Sequence, residues 1–245
     1  MPHAASKLNA FPVFLKLKGR TVAIVGAGEE ALAKARLIGQ SAARLSIVAA
    51  EPEPALAAFI AEHGALHIRS AYAPEHLEGA AMVFAASGDT ALDARVSADA
   101  RRAGIPVNAV DRPELCDFFT PALVNRAPVA VAIGTEGAGP VLAQMLRARI
   151  DRMLAPSLGP LAALAAALRD AAEKRLPRGA ARRRFWGEFF AGAPARAMEA
   201  GDALTKIFET AVAKGHITLA DLFDDNYVKI DGTEPAQYRT RFLDW

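Results

Sequence analysis

Short aliphatic segments alternate with helical segments over the first 112 residues, and this alternation constrains the fold more than any other feature. Runs rich in β-branched and aliphatic residues predict strands at 21–25, 44–48, 66–69, 82–86 and 106–110. Helical patterns lie between them at about 29–40, 52–64 and 90–104. Strands connected through helices at this spacing form parallel sheets that helices cover on both faces. We therefore expect an α/β fold built on a parallel sheet.

The first strand runs into a glycine-rich turn, GAGEEA at 26–31, that opens the following helix. This is the G-x-G-x-x-G/A pattern of Rossmann-type dinucleotide sites, placed between a strand and a helix as those sites require. Gly26 would permit the tight turn, and Gly28 would let the backbone approach a pyrophosphate at the helix N-terminus. The pattern predicts cofactor contacts from Gly26, Gly28, Glu29 and Glu30. The alternative is a tight turn that binds no ligand.

The other candidates for cofactor binding follow the second, fourth and fifth strands. Glu51, after Ala50, stands where an acidic residue would hydrogen-bond a ribose hydroxyl, although it would equally fit the start of a helix before Pro52. No arginine follows directly to pair with a 2′-phosphate, which favours NAD over NADP. The later strands contribute the predicted contacts Ala85, Ser87, Asn108 and Val110. Small residues at strand ends are also ordinary packing choices.

Asp111 ends the fifth predicted strand, within the stretch VNAVDRPELCDFFTP at 107–121. Ligands of open α/β sheets gather at the carboxyl ends of the strands, so a carboxylate there can act as a general base. The alternative is that the aspartate opens a turn before Arg112 and Pro113 without taking part in chemistry. Cys116 is interpreted as a small apolar filler rather than a nucleophile.

The pattern changes beyond this segment. Two further strands are expected at 118–126 and 128–135, joined by a tight turn at Arg126-Ala127. From Gly139 onward the chain is almost entirely helical, in about four helices with a break at 177–179. We expect a Rossmann-type NAD-binding domain at 1–112, dimerisation strands and a helix at 113–150, a helical domain at 151–215 and a tail of unknown role at 216–245.

Composition argues against several classes of function. The formal charge of +2 is too small to indicate a nucleic-acid-binding protein, and the basic run at 182–184 is interpreted as one face of a helix. A single cysteine excludes an internal disulfide and suits a reducing compartment. The N-terminus lacks a signal-peptide pattern, and no apolar run reaches the roughly 18–20 residues of a membrane span. Histidine and cysteine spacing predicts no metal site. We expect a cytoplasmic protein.

Four stretches together resemble the dehydrogenase/ferrochelatase module of the siroheme synthase family. They are FPVFLKLKGRTVAIVGAGEEALAKARLI at 11–38, MVFAASGDTALDARVS at 82–97, the segment from PVNAVDRP to RARI at 106–150, and ARRRFWGEFF at 181–190. The family joins precorrin-2 dehydrogenase to sirohydrochlorin ferrochelatase. Members also occur fused to a C-terminal methyltransferase domain, and we expect that activity to be absent here.

The resemblance implies a Rossmann domain, a dimerisation region exchanged between the two protomers of a homodimer, and a cleft for the tetrapyrrole between them. It implies that precorrin-2 is oxidised to sirohydrochlorin with NAD, that Asp111 is the catalytic residue, and that Fe²⁺ is then inserted as a substrate to give siroheme. Thr135 matches a serine that is phosphorylated in some members, so we treat it as a possible regulatory hydroxyl.

The tetrapyrrole carries several carboxylates, which would pair with basic residues in the cleft. Arg112, Arg126 and Arg147 lie in the matching segments, and for each of them a solvated surface charge is an equal alternative. The alternative to the enzyme is an NAD(H)-binding sensor or regulatory module that does not turn over a tetrapyrrole. An ordinary dehydrogenase for a small substrate is disfavoured, because the chain has no Tyr-x-x-x-Lys pattern or catalytic histidine context.

Overall fold

The structure, a computed structural model, describes residues 7–200. The contacts among these residues divide them into two compact units. The first consists of residues 7–122 with 133–145, and the second of residues 123–132 with 146–200. Each unit has a hydrophobic core of its own.

The first unit is an α/β domain of the Rossmann type, which confirms the predicted fold class. Its strands are β1 (Thr21–Val25), β2 (Arg44–Val48), β3 (Leu66–Ile68), β4 (Ala80–Ala85) and β5 (Val107–Ala109). Its helices are α1 (Glu29–Ile38), α2 (Pro54–His63) and α3 (Thr90–Arg102), with short 3-10 turns at Pro74–Leu77 and Pro113–Leu115. The strands form one parallel sheet in the order β3-β2-β1-β4-β5.

The register of this sheet aligns the ends of four strands. Val25 pairs with Val48 of β2 and with Ala85 of β4, and Ala85 pairs with Ala109 of β5. The segments that follow these residues therefore leave the sheet side by side. We call the edge formed by the ends of β1, β2, β4 and β5 the carboxyl edge.

Alternating side chains of the strands bury both faces of the sheet. On one face Val22, Ile24 and Phe84 pack with the apolar sides of α1 and α2. On the other, Val83 and Val107 pack with the residues of α3. Full burial of a side chain of this size stabilises the fold by about 1.5–3 kcal/mol, so the packed sheet holds the carboxyl edge rigid.

After the Rossmann-type sheet, the described part of the chain continues with two strands and then with helices. These elements are β6 (Ala122–Arg126), β7 (Val129–Ile133), α4 (Pro140–Met153), α5 (Leu158–Ala167), α6 (Arg169–Arg175), α7 (Ala180–Ala191) and α8 (Ala193–Glu199). The strands β6 and β7 form a separate two-stranded sheet.

The second unit packs its helices around aliphatic and aromatic side chains. Leu161, Leu164 and Leu168 form its core with Phe189 of α7, and Trp186 packs against them. Two aromatic residues that follow the basic run, Trp186 and Phe189, thus face this core, whereas Phe190 is exposed. In the same unit Arg126 donates to the carbonyls of Asp151 (3.0 Å) and Leu154 (3.1 Å), which satisfies backbone groups at the end of α4.

Most predicted elements are present, with differences at their ends. The strands at 21–25 and 44–48 match residue for residue, and the break at 177–179 separates α6 from α7. The helical stretch before this break forms two helices, α5 and α6, which meet at Leu168. The turn expected at Arg126-Ala127 lies one residue later, at Ala127-Pro128, because β6 extends to Arg126 and β7 begins at Val129. The expected structure beyond residue 200, including the tail at 216–245, lies outside the described residues.

Within residues 7–200, no helix combines the length and the apolar character that a crossing of the bilayer would demand.

Two helical glycines of the second unit provide a test of its packing. A Cβ at Gly159 would lie 2.5 Å from the carbonyl oxygen of Ala127, whereas a Cβ at Gly187 would have no described atom within 4 Å. We expect Gly159→Ala to lower the free energy of unfolding by about 1–3 kcal/mol through overpacking. Gly187→Ala, at an exposed helical position, is expected to raise it by about 0.5–1 kcal/mol. Urea unfolding of both variants measures these changes, and effects of the same sign would contradict the packing of α5.

Candidate functional site

The turn between β1 and α1 lies directly against the end of β4. Gly26 has a φ of +151°, and a Cβ at this residue would lie 2.0 Å from the carbonyl oxygen of Ala86. Its N–H donates to the carbonyl of Val48, 3.1 Å away. Only glycine fits this position, because both the backbone conformation and the close approach of β4 exclude a side chain.

The N-terminus of α1 opens onto this turn. Gly28 precedes the helix, and no described side chain caps it. The N–H groups of the first helical turn, at residues 29–31, therefore have no intrahelical acceptor and carry the positive end of the helix dipole. The arrangement is the cradle that a pyrophosphate requires. The cofactor contacts of Glu29 and Glu30 stay predictions, and their backbone N–H groups would make them, since carboxylates would repel a phosphate.

A carboxylate that belongs to none of the sequence motifs lies beside this cradle. The side chain of Glu53 lies over Gly28, so that a Cβ on that glycine would be 3.0 Å from the Glu53 carboxylate. The backbone N–H of Glu53 also donates to the carbonyl of Ala27, 2.8 Å away. The loop after β2 is thereby tied to the glycine-rich turn. No motif marks Glu53 in the sequence, because it is the residue before the first residue of α2 and belongs to the loop that follows β2.

Ala50 and Glu51 lie elsewhere on the same loop. Both line a groove of about 650 Å³ between this loop, α2 and the end of β3. His67 and Arg69 line it as well, and the Arg69 Nε lies 3.3 Å from the His67 Nδ1. The predicted role of Glu51 as the ribose partner stays a prediction, and Glu53 becomes a second candidate for it.

Lys34 of α1 points toward the part of the carboxyl edge that carries Asp111. Its Nζ donates to the hydroxyl of Thr120 (3.4 Å) and lies 5.8 Å from the centre of the Phe84 ring. Burial lowers the pKa of Lys34, and the nearby groups of Asp111, Cys116 and Glu30 partly offset this effect. In the sequence, this lysine could have been identified as the charged residue on an otherwise apolar face of α1.

The chain leaves β5 in an unusual conformation at Asp111. The Val110 N–H donates to the carbonyl of Ala85 (2.9 Å), which extends the pairing of β5 with β4 by one residue. Asp111 is exposed and has a φ of +55°, in the left-handed region. A residue other than glycine in such a sparsely populated conformation costs about 1–3 kcal/mol and persists only where the surroundings impose it. Aspartate is among the side chains that tolerate it best.

Asn108 is correctly placed on β5, but it is buried. Its amide donates to the carbonyl of Phe118 (2.8 Å) and to the sulfur of Cys116 (3.3 Å). These contacts make it an anchor for the segment after Asp111, and its expected contact with the cofactor stays a prediction. The Cys116 thiol donates in turn to the carbonyl of Ala109 (3.2 Å), and burial raises its pKa. A thiol held in its neutral form is a poor nucleophile, in agreement with the interpretation as a filler.

Ala85 is also buried. It is 0% exposed and packs in the core, and its carbonyl accepts from the N–H of Val110. Its expected contact with a cofactor stays a prediction. Ser87 remains at the carboxyl edge, where the Asp93 carboxylate accepts from its N–H (3.1 Å) and from its hydroxyl (2.7 Å).

Arg112 and Arg126, which were considered for substrate carboxylates, pair with acidic side chains of the chain. Arg112 pairs with Asp93 at 2.7 Å, and Arg126 with Asp151 at 3.0 Å. The roles of these arginines and of the exposed Arg147 toward a substrate stay predictions. The hydroxyl of Thr135 accepts from the N–H of Gly139, 3.4 Å away, and its regulatory role also stays a prediction.

Comparisons with known proteins connect these modules to siroheme synthesis. Residues 13–122 match a family model described as putative NAD(P)-binding, and residues 157–204 match one described as the sirohaem synthase dimerisation region. The chain is 41% identical over 185 residues to a siroheme synthase of Methylobacillus flagellatus, covering 76% of this chain and 40% of that protein. It is 43% identical over 194 residues to a siroheme synthase of Azotobacter vinelandii, covering 79% and 42%.

The chain thus spans about two fifths of the length of the curated relatives that it matches. Among solved structures it resembles SirC, a precorrin-2 dehydrogenase, with a TM-score of 0.67 and 20% sequence identity. That likeness covers 85% of this chain and 100% of SirC. At this identity the likeness concerns the fold.

The close approach at Gly26 predicts a loss of cofactor binding. In Gly26→Ala the new Cβ collides with the Ala86 carbonyl, which forces the turn away from the N-terminus of α1. We expect NADH to bind at least about tenfold more weakly, a loss of roughly 1.4 kcal/mol, as measured by the fluorescence of the bound nucleotide. Gly79→Ala is the control, since Gly79 also has a positive φ (+70°) but no described atom near its Cβ position. Wild-type affinity in Gly26→Ala would contradict the assignment of the cradle.

Proposed function

Because the chain belongs to the siroheme synthase family, we propose that it oxidises precorrin-2 to sirohydrochlorin with NAD and then inserts Fe²⁺ to give siroheme. The observation that carries the proposal is the register of the sheet. Since Val25, Ala85 and Ala109 pair side by side, the glycine-rich turn and Asp111 leave the same edge. A dinucleotide cradle and a carboxylate are thus brought together in one unit.

The cofactor supplies a hydride acceptor, and the chain supplies its binding site and a base. Gly26 lets the turn pass directly against the end of β4, and the N–H groups of the first turn of α1 bind the pyrophosphate. Oxidation of precorrin-2 removes one hydride and one proton. The exposed carboxylate of Asp111 accepts that proton as a general base. Its left-handed backbone turns the residue out of the line of β5 at the carboxyl edge.

The chelatase step needs a proton acceptor as well. Two pyrrole N–H groups lose their protons as Fe²⁺ enters the macrocycle, and the same carboxylate can accept them in turn. The iron is a substrate in this step, so the chain needs no resident metal site. Among the described residues there is no cluster of three or more histidine, cysteine or acidic side chains that would hold one.

The proposal includes a homodimer in the cytoplasm. The match of residues 157–204 to a dimerisation region supports the dimer. So does the two-stranded sheet of β6 and β7, because so small a sheet leaves strand edges that a second protomer can cover. The free thiol of Cys116 supports a reducing compartment.

Replacement of Asp111 tests the assignment of the base. We expect Asp111→Asn to lower kcat for NADH formation from precorrin-2 by about 10²–10⁴-fold, because the amide cannot accept the proton. NADH binding should stay within about twofold of the wild type, since the cradle is unchanged. Glu114→Gln is the matched control, an exposed acid of the same segment, and we expect it to keep wild-type turnover.

The same variants distinguish the two activities and the alternative function. Anaerobic insertion of Fe²⁺ or Co²⁺ into sirohydrochlorin, followed by absorbance, measures the chelatase step separately. Retention of oxidation in Asp111→Asn would overturn the role of this residue as the base. A wild-type protein that binds NADH but turns over neither tetrapyrrole would instead establish the NAD(H)-binding sensor.

The ribose partner is tested by comparing two carboxylates of one loop. Glu53 faces Gly28 of the cradle, whereas Glu51 lines the groove beside α2. If Glu53 binds the ribose hydroxyls, loss of a charged hydrogen bond in Glu53→Gln should raise the KM for NAD by about 10-fold or more. Glu51→Gln should change it less than about threefold. Steady-state kinetics with NAD and NADP measure both KM values. A larger rise in the KM for NAD in Glu51→Gln than in Glu53→Gln would identify Glu51 as the ribose partner.

A further inference from the structure

Asp93 is a buried carboxylate that neither the sequence motifs nor the proposed chemistry uses. It lies in the first turns of α3, and its side chain is 0% exposed. One oxygen, Oδ1, accepts from the N–H of Ser87 (3.1 Å) and from its hydroxyl (2.7 Å). The other, Oδ2, pairs with the Arg112 Nη1 at 2.7 Å. A single carboxylate thus connects the loop after β4 with the loop after β5.

The guanidinium of Arg112 also donates several hydrogen bonds within the chain. Besides Asp93, it donates to the hydroxyl of Thr90 (2.9 Å) and to the carbonyl of Val110 (3.1 Å), and its side chain is only 18% exposed. Val110 precedes Asp111 and Arg112 follows it. The same side chain therefore holds the backbone on both sides of the residue that has the left-handed conformation.

This arrangement explains how Asp111 keeps a conformation that the isolated chain would seldom adopt. An unfavourable backbone conformation persists only where neighbouring contacts impose it. A buried ion pair is well suited to impose one, because the loss of either partner leaves a charge buried without compensation. The planar, largely buried guanidinium of Arg112 donates three hydrogen bonds in fixed directions, which a flexible, exposed cationic side chain would not provide.

We propose that Asp93 and Arg112 are positioning residues that set the orientation of the Asp111 carboxylate relative to the loop carrying Ser87. The inference rests on the proposed function for its kinetic readout, whereas the contacts themselves are independent of it. Arg112 touches no reacting atom in this scheme. It acts through the backbone of Val110 and Asp111, and Asp93 acts through Arg112 and Ser87.

The decisive variants separate positioning from stability. Arg112→Ala removes the guanidinium but leaves Asp93 charged and buried, so this variant should also unfold more easily. The double variant Arg112→Ala/Asp93→Asn removes the uncompensated charge, while the asparagine oxygen can still accept from Ser87. We expect the melting temperature of the double variant to lie well above that of Arg112→Ala. Its kcat should stay as low as that of Arg112→Ala. A purely structural ion pair would show both properties recovering together.

The expected kinetic effect lies in kcat. A displacement of about 1 Å at a catalytic group can cost about 10²-fold in rate, so we expect kcat of the double variant to fall by about 10- to 100-fold. The dissociation constant of NADH should stay within about threefold, because Ser87 keeps an acceptor. Arg112→Lys keeps the charge without the planar fork and should recover only part of kcat.

Arg102→Ala is the control for the loss of an arginine that pairs with an aspartate of α3, although the Arg102 side chain is 72% exposed. Arg102 pairs with Asp99 at the same 2.7 Å distance and on the same helix, but near its C-terminal end, away from the carboxyl edge. This variant should keep wild-type kcat. Amide hydrogen exchange of the peptide at 108–118 is measured alongside, with faster exchange expected in the double variant and wild-type exchange in Arg102→Ala.

The outcomes keep this inference distinct from the proposed function. If the wild type oxidises precorrin-2 and the double variant keeps kcat within about twofold, the positioning role is overturned while the function stands. If the wild type does not oxidise precorrin-2, the proposed function fails. Amide hydrogen exchange then decides by itself whether Asp93 and Arg112 position the Asp111 segment. Faster exchange at 108–118 in the double variant would then support the positioning pair, and wild-type exchange would overturn it.

Discussion

The approach of the glycine-rich turn to the end of β4 is the contact on which the rest of the first unit depends. Gly26 leaves no room for a side chain beside the Ala86 carbonyl, and the turn can pass there only because β1 and β4 are neighbours in the sheet. That neighbourhood sets the direction of α1, and hence the position of its N-terminus. It also aligns β4 with β5, whose end carries Asp111. The cradle and the proposed base are two consequences of one strand pairing.

The charged side chains at the carboxyl edge differ in their exposure to solvent. Asp111 is exposed, whereas Lys34 is partly buried and Asp93 is completely buried. Burial disfavours the charged form of a lysine, which is the direction of the pKa shift at Lys34. The Asp93 carboxylate is instead compensated by three hydrogen-bond donors from Ser87 and Arg112. The edge thus separates a solvent-accessible carboxylate from buried charges that support the surrounding backbone.

Two residues that local patterns singled out have structural partners that those patterns do not indicate. Asn108 and Arg112 were identified by their positions near a strand end, which is where ligands bind in such folds. In the structure the Asn108 amide binds Phe118 and Cys116, and the Arg112 guanidinium binds Asp93 of α3. Side chains at such an edge therefore divide into those that face a ligand and those that hold the loops in place. Position in the sequence does not distinguish the two groups, because their partners are distant in the chain.

The sequence alone determined the α/β class, the parallel strands and the glycine-rich turn, since hydrophobic periodicity and glycine placement are local properties. It also located Asp111 at a strand end, and its family resemblance pointed to siroheme synthesis. Only the tertiary structure decided that Glu53 rather than Glu51 lies over Gly28, and that Lys34 reaches the Asp111 segment. It alone revealed the Asp93–Arg112 pair, whose members are 19 residues apart. Such choices depend on which side chains the folded sheet brings within a few ångströms, and no local pattern encodes that distance.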